Sequence, residues 1–412
     1  MPRRVPGAAA VPPTAPPVTA RPRTAVPAVR RPCGGARDRP LTSLRRAAPA
    51  LAGYVAVRLA GVLLLAHWAH LKGHGLWPAL ATSWDSRWYL EIADSGYDTA
   101  LGTARNSNNL AFFPLYPALI KAVAAVTPGS RAGVGVLLAV VCSLVAAWGI
   151  FAVGDRLYGR RAGTLLTVLW GCAPVAAVQW MGYTESLFTA LTAWALHCVL
   201  TGRWLWAGSL AALAGLTRPT GVAVAAAVSV TAVVALWQAR RSGGGPRAAV
   251  LAAGLIAPLG WTGYVAWVGV RLGRWDGYLA VQKLWLNDWD GGADTLREVR
   301  RLLLYQSRPH LYLVVVTLVL FFSVAMFALC AAERQPLPLL VFTGVMLLVV
   351  LGSGGVYFPR ARFLLPAFPL LLPVALAVAR ARRLTAVMVL AATALSSLWF
   401  GAYMQLVWPG PP

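Results

Sequence analysis

Residues 84–98 read W-D-S-R-W-Y-L-E-I-A-D-S-G-Y-D, and residues 111–117 read A-F-F-P-L-Y-P. The chain has 13 acidic residues among 412, and four of them lie between Asp85 and Asp98. The region follows directly after the first long apolar stretch, which places it at a membrane surface, where Trp and Tyr anchor well. It therefore predicts either a site at that surface or an amphipathic helix that rests on lipid headgroups.

The composition identifies the class of protein. The mean hydropathy is +0.64, 58% of the residues are hydrophobic and only 12% are charged. These values are typical of an all-α polytopic membrane protein. The net charge of +24 does not indicate a nucleic-acid partner, because the arginines lie at the ends of apolar segments, where membrane topology explains them.

Residues 1–46 are rich in Pro, Ala and Arg, lack an apolar run and hold Asp38 as their single acid. We expect a disordered tail, which its arginines place in the cytoplasm. Residues 47–412 are predicted to form a transmembrane domain of about eleven spans. The predicted spans are residues 51–71, 133–153, 162–181, 183–200, 204–217, 219–238, 248–271, 311–331, 338–355, 363–380 and 384–407.

The number of spans depends on residues 111–126, a short apolar segment with two prolines and Lys121. If this segment is a juxtamembrane helix that does not span, the three basic turns that follow lie in the cytoplasm, where Lys and Arg accumulate. Those turns hold Arg156, Arg160 and Arg161; Arg240, Arg241 and Arg247; and Arg380, Arg382 and Arg383. The two large external loops are then residues 72–132 and 272–309.

Four motifs in the same order carry a resemblance to a known family. They are the two segments quoted above, G-Y-T-E-S-L-F at residues 182–188, and T-R-P-T-G at residues 217–221. From about residue 50 onward the chain resembles the GPI mannosyltransferase II (PIG-V) family, which belongs to the GT-C membrane glycosyltransferases. The resemblance implies a GT-C-like helical bundle that transfers mannose, with inversion, from a polyprenyl-phosphate carrier on the non-cytoplasmic side. It also implies that an acid in the first external loop is the base.

The predicted topology gathers acids and arginines at one external face. Sugar transfer from a phosphate carrier needs a base for the acceptor hydroxyl and a cation for the leaving phosphate. Arginine suits phosphate because its planar guanidinium donates two parallel hydrogen bonds, although each arginine could instead extend to the lipid headgroups. Candidate bases, in order, are Asp85, Glu185 and Asp94; candidate donor-phosphate ligands are Arg218, Arg360 and Arg362; candidate substrate contacts are Trp84, Trp88, Tyr97, Phe113 and Tyr183.

Metal binding receives little support from the sequence. His67, His70 and His74 have helical spacing but no accompanying carboxylate, so the end of a membrane helix explains them better. Asp288 and Asp290 form a D-x-D pair, a pattern that a hydrophilic loop also produces by chance. We expect no cofactor and no metal ligand set, and a divalent metal is left open only through this pair.

Two other functions stay open at this stage. A transporter or flippase would place charges midway along its spans and often shows two related halves, whereas the acids here lie in loops and at helix ends. A non-catalytic partner of another transferase would not need the intact motifs. The expected partners are a polyprenyl-phosphate-mannose donor, a glycolipid or cell-wall glycan acceptor, and membrane lipids. The expected location is the bacterial plasma membrane, or the endoplasmic reticulum membrane of a eukaryote.

Overall fold

The computed structural model describes residues 40–243 and 247–412. Residues 1–39 of the expected disordered tail therefore lie outside the described residues. Its last part was predicted wrongly, because the first helix begins at Pro40 and not at residue 51. Proline is favoured at a first helical position, and the side chain of Arg46 then pairs with Asp155, with 2.9 Å between Nη2 and Oδ2.

Most of the described residues are helical. The helices of the first half are α1 (Pro40–Leu71), α2 (Leu76–Ala81), α3 (Asp85–Ser95), α4 (Leu115–Ala124), α5 (Arg131–Tyr158), α6 (Arg160–Gly171), α7 (Glu185–Leu200), α8 (Trp204–Gly215) and α9 (Gly221–Arg241). The helices of the second half are α10 (Ala248–Ile256), α11 (Leu259–Leu272), α12 (Gly277–Leu284), α13 (Ala293–Arg300), α14 (Leu311–Ala332), α15 (Leu337–Gly352), α16 (Arg360–Phe363), α17 (Leu372–Arg380) and α18 (Arg383–Leu406).

Six helical segments among the described residues, each 21 to 30 residues long, are long and apolar enough to cross a membrane. They are Thr42–Leu71, Arg131–Tyr158, Gly221–Arg241, Ala248–Leu272, Leu311–Ala332 and Arg383–Leu406. This confirms the all-α polytopic membrane fold. The other five predicted spans contain shorter helices. Three of them hold one helix each, α7, α8 and α15, and the other two, residues 162–181 and 363–380, are interrupted.

Proline causes both breaks. The predicted helix at residues 162–181 ends at Gly171, and a separate 3-10 helix follows at Ala176–Trp180. Pro174 lies between them and cannot donate the backbone hydrogen bond that would continue the helix. The predicted helix at residues 363–380 is divided in the same way at Pro366, so that α16 ends before it.

The first external loop contains the short helices α2, α3 and α4 and an irregular segment between α3 and α4. The 10 residues of α4 extend only about 15 Å, which is half the thickness of the hydrocarbon core of a bilayer. Tyr89 of α3 packs edge-to-face against Tyr116 of α4, with 5.2 Å between the ring centroids. These contacts hold α3 against the bundle and orient the face that carries Asp85.

The basic turns gather at the opposite end of the bundle. Arg46 and Asp155 pair there, and the Arg161 guanidinium donates a hydrogen bond to the backbone oxygen of Ala381. Because α6 begins at this end and α7 begins at the other, Glu185 is separated from these turns by the depth of the bundle. The charges are thus divided between two ends, as the predicted topology requires.

A two-residue strand, β1 (Asp288–Trp289), pairs antiparallel with β2 (Ser353–Gly354). The pairing attaches the second external loop to the segment that leads into α16. It places residues 282–287 beside the same cavity as Asp85.

Candidate functional site

Asp85 is the first residue of α3, and its side chain is 23% exposed. A carboxylate is favoured at a helix N-terminus by the helix dipole. The preceding residue, Trp84, has φ 52° and ψ −119°, a backbone conformation that costs free energy in a residue with a side chain. The fold therefore holds Asp85 in place through a strained turn.

Glu185 begins α7 and is almost completely buried, with 1% of its side chain exposed. Its Oε1 lies 2.6 Å from Nη1 of Arg218 and 3.2 Å from Nε of Arg362. Two guanidinium groups compensate the charge that burial would otherwise make very costly. The carboxylate therefore orients both arginines.

Arg362 connects the two acids. Its Nη2 lies 2.7 Å from Oδ2 of Asp85, and its Cζ lies 5.0 Å from the centre of the Tyr183 ring. Its Nε and Nη1 are buried and have no hydrogen-bond partner among the described residues. The order Asp85, Arg362, Glu185, Arg218 is therefore a continuous network of ion pairs between two acids and two arginines, in which Arg362 still has unbonded donors.

Two further side chains complete the network. Thr184 Oγ1 accepts a hydrogen bond from Nη1 of Arg218 at 3.0 Å, and it lies 3.1 Å from the hydroxyl of Tyr89. Neither residue was predicted from the sequence as part of the site. The signal was present, because Thr184 belongs to the G-Y-T-E-S motif and Tyr89 lies four residues after Asp85, on the same face of α3.

A cavity of about 520 Å³ opens beside Asp85, Arg218 and Arg362. Ligand pockets are commonly of this size and combine apolar walls with a few polar groups. The other lining residues are Trp84, Trp88, Tyr89, Asn106, Ala111, Phe112, Phe113, Thr217, Pro219, Gln282, Trp285, Leu286, Asn287, Val356, Phe358, Pro359, Phe363 and Pro411. Three of the five predicted substrate contacts, Trp84, Trp88 and Phe113, thus lie in this wall.

Backbone strain concentrates at the same cavity. In the described chain four residues other than glycine have positive φ, and three of them line the cavity: Trp84, Asn106 and Leu286. Such conformations persist only where the surrounding structure holds them, and they cluster at functional sites. The strain therefore identifies this cavity as the candidate active site independently of its charges.

Asp94 is not brought to the cavity, contrary to our prediction. Nine residues along an α-helix correspond to a rotation of about 180°, so Asp94 lies on the face opposite Asp85. Its side chain is 52% exposed and pairs with Arg131 at the start of α5.

Arg360 is also directed elsewhere. It is buried, donates hydrogen bonds to Thr295 Oγ1 and to the backbone oxygen of Ser353, and packs over the ring of Tyr357. It therefore holds the second external loop against α16 and does not line the cavity with Arg362.

The two remaining predicted contacts lie behind the cavity wall. The Tyr97 hydroxyl donates to the backbone oxygen of Phe112, and its ring packs against Trp267. Burial raises the pKa of Tyr97 well above its ordinary value, so it stays a neutral donor. Tyr183 lies beneath Arg362 and supports its guanidinium.

Asp290 of the D-x-D pair stabilises the backbone of its own loop. The Asp290 carboxylate accepts hydrogen bonds from the backbone N–H groups of Gly292 and Asp294. Desolvation opposes its charge, but these hydrogen bonds, with Arg360 and Arg297 nearby, lower the pKa of Asp290. Among residues 40–243 and 247–412, no group of three or more His, Cys, Asp or Glu side chains has a spacing that fits a metal ion.

Residues 113–262 match the family of dolichyl-phosphate-mannose-protein mannosyltransferases. The matched region contains Glu185 and Arg218, whereas Asp85 and Arg362 lie outside it. No curated protein sequence gives a significant match.

Among solved structures, the chain is similar to an oligosaccharyltransferase of Archaeoglobus fulgidus. The complex of that protein with an inhibitory peptide and a dolichol-phosphate is 14% identical, with a TM-score of 0.47, and the match covers 87% of this chain and 56% of that chain. The apo form is 15% identical, with a TM-score of 0.46 and the same coverage. The chain spans just over half the length of these structures. The family match supports a GT-C membrane glycosyltransferase and leaves the GPI mannosyltransferase II resemblance unconfirmed.

Proposed function

We propose that the chain is a membrane glycosyltransferase that transfers mannose from a polyprenyl-phosphate-mannose donor to a lipid-linked or cell-wall glycan. The observation that carries the proposal is the ion pair between Asp85 and Arg362 at the wall of a cavity lined by aromatic rings. It brings together a base and a phosphate-binding cation, the two groups that this reaction needs. The mannosyltransferase family matched over residues 113–262 supports the choice of sugar.

In the proposed reaction, the acceptor hydroxyl attacks C1 of the mannose while Asp85 takes its proton. The bond between C1 and the phosphate oxygen breaks, and the electron pair leaves with the polyprenyl phosphate. Arg362 and Arg218 neutralise that phosphate as its charge develops. Glu185 keeps the two guanidinium groups in place. A single displacement with one base inverts the anomeric centre.

We place the site on the non-cytoplasmic side of a bacterial plasma membrane. The basic turns at the opposite end of the bundle support this orientation, because Lys and Arg accumulate in cytoplasmic loops.

The test is a transfer assay with Asp85→Asn and the full chain in lipid. Purified protein is incubated with radiolabelled polyprenyl-phosphate mannose and extracted membrane acceptors. The substitution keeps the shape of the side chain and removes its basicity, so turnover should fall by about 10²–10⁴.

Asp94→Asn is the matched control, since Asp94 lies on the same helix and faces away from the cavity. Its activity should stay close to that of the unmodified protein. If the Asp85→Asn protein is as active as the unmodified protein, Asp85 is not the base. If the unmodified protein transfers no label from polyprenyl-phosphate mannose, the proposed donor is wrong.

A further inference from the structure

Residues 106–108 of the first external loop meet residues 282–287 of the second external loop beside the cavity, next to Trp88. The backbone N–H of Asn106 donates to the oxygen of Leu284 at 3.2 Å, and the indole N–H of Trp285 donates to the oxygen of Asn108 at 2.9 Å. Three amide side chains at this junction line the same cavity as Asp85: Asn106, Gln282 and Asn287.

A hydrogen-bond relay orients one of these amides. Gln282 Nε2 donates to the hydroxyl of the buried Tyr278 at 2.8 Å, and Asn287 Nδ2 donates to Gln282 Oε1 at 3.1 Å. The backbone N–H of Asn287 also donates to the oxygen of Gln282 at 2.9 Å. In the part of the chain that the structure describes, neither Oδ1 of Asn287 nor the side chain of Asn106 has a protein hydrogen-bond partner. Leu286 has φ 59°, a backbone conformation that costs free energy in leucine, so the fold holds this position at a cost.

Aromatic rings stand beside the amides. Trp88 and Trp285 meet edge to face at 5.2 Å, and Trp88 stacks on Phe112 at 5.6 Å. Trp88 lies three residues after Asp85, so this aromatic cluster is adjacent to the proposed base on α3. Ring faces and oriented amides together suit a ligand with an apolar C–H face and a rim of hydroxyl groups, and a pyranose has this shape.

We propose that Asn106, Gln282, Asn287 and Trp285 form the subsite for a sugar ring of the acceptor, so that the acceptor is a glycan and not a polypeptide. This rests on the proposed function, which assigns Asp85 to the acceptor hydroxyl and the arginines to the donor phosphate. One mode of peptide recognition adds the bound segment through its main chain to an exposed strand edge. The only strands of the described residues, β1 and β2, pair with each other and do not line the cavity.

The test measures acceptor kinetics with octyl α-D-mannoside and with a serine-containing peptide, both with polyprenyl-phosphate mannose as donor. Asn287→Ala and Asn106→Ala each remove hydrogen bonds to hydroxyl groups, so each should raise the acceptor KM about three- to ten-fold. The donor KM and kcat should change little. Lys283→Ala is the matched control, because Lys283 lies on the same helix as Gln282 with an exposed side chain outside the cavity.

A separate binding experiment distinguishes this subsite from the proposed reaction. Saturation-transfer NMR detects a soluble oligomannoside on the Asp85→Asn protein without turnover. The double variant Asp85→Asn, Asn287→Ala should lose that signal. Such a loss supports the subsite even if the protein transfers no mannose. Transfer to the peptide alone, or transfer to octyl mannoside with an unchanged acceptor KM in both variants, overturns it. If the Asn287→Ala protein does not fold, the same measurements on Asn106→Ala, in the first external loop, test the subsite.

Discussion

Arg362 contacts both acids of the site. Nη2 contacts Asp85 and Nε lies near Glu185, while 5% of the side chain is exposed. A buried guanidinium that serves two carboxylates depends on its planar geometry, which the single ammonium of a lysine does not reproduce. We therefore propose the phosphate role for Arg362 and Arg218 and not for Arg360, whose guanidinium is bonded to Thr295 and Ser353.

Arg362→Lys should lower kcat by about 10- to 100-fold, the range expected when a charge-assisted hydrogen bond is lost. The measurement is steady-state transfer with varied polyprenyl-phosphate mannose. Arg297→Lys, at a side chain that is 70% exposed on the external loop, is the control and should retain full activity. Unchanged kinetics in both variants would remove Arg362 from the site.

At the scale of elements, close packing of helices through glycine keeps the bundle together. Glycine allows helix backbones in a membrane to approach closely, and their packing is a main source of helix association there. A Cβ built on Gly163 of α6 would lie 2.7 Å from the backbone oxygen of Phe151 in α5, closer than any normal contact. The interface between α5 and α6 therefore requires glycine at this position.

Gly163→Ala should destabilise the protein by about 1–3 kcal/mol, the usual cost of overpacking a well-packed core. The measurement is the thermal unfolding midpoint in detergent. Gly263→Ala on α11 is the matched control, because a Cβ there meets nothing within 4 Å. That change should be neutral or slightly stabilising, since alanine favours a helix. An equal response of both variants would contradict the packing argument.

At the scale of the whole molecule, charge is divided between the two ends of the bundle. The acids and arginines of the site lie at one end, and Arg46, Asp155 and Arg161 lie at the other. A rule based on the excess of arginine in cytoplasmic loops predicts which end faces the cytoplasm. We therefore propose that the fold presents its candidate site to the non-cytoplasmic side.

Cysteine labelling tests this orientation in a variant whose five native cysteines are replaced by serine. A membrane-impermeant maleimide applied to intact cells should label Lys283→Cys, on the external loop, and leave Arg160→Cys, at the turn before α6, unlabelled. Both changes remove one basic residue, so they are matched in charge. Labelling at position 160 and protection at position 283 would invert the proposed topology.

The class of protein and the short-range groupings were determined by the sequence. Hydropathy and the placement of arginine depend only on local composition, so they predicted a polytopic helical membrane protein whose acids lie at helix ends. Chain proximity likewise brought Asp85, Trp84 and Trp88 together, because a helix places residues three or four apart on one face. The helix breaks near Pro174 and Pro366 are local as well and could have been predicted.

Only the tertiary structure decided which distant side chains meet. Arg360 and Arg362 are two residues apart, so they point about 200° apart around a helix, and the sequence does not say which face meets Asp85. Packing of α16 against α14 and α15 fixes its rotation, so that Arg362 reaches the acids and Arg360 reaches Thr295 of the loop. Gln282 and Asn287 of the second external loop line the cavity because β1, which follows them, pairs with β2. Such contacts join residues far apart in the chain, and no local pattern encodes them.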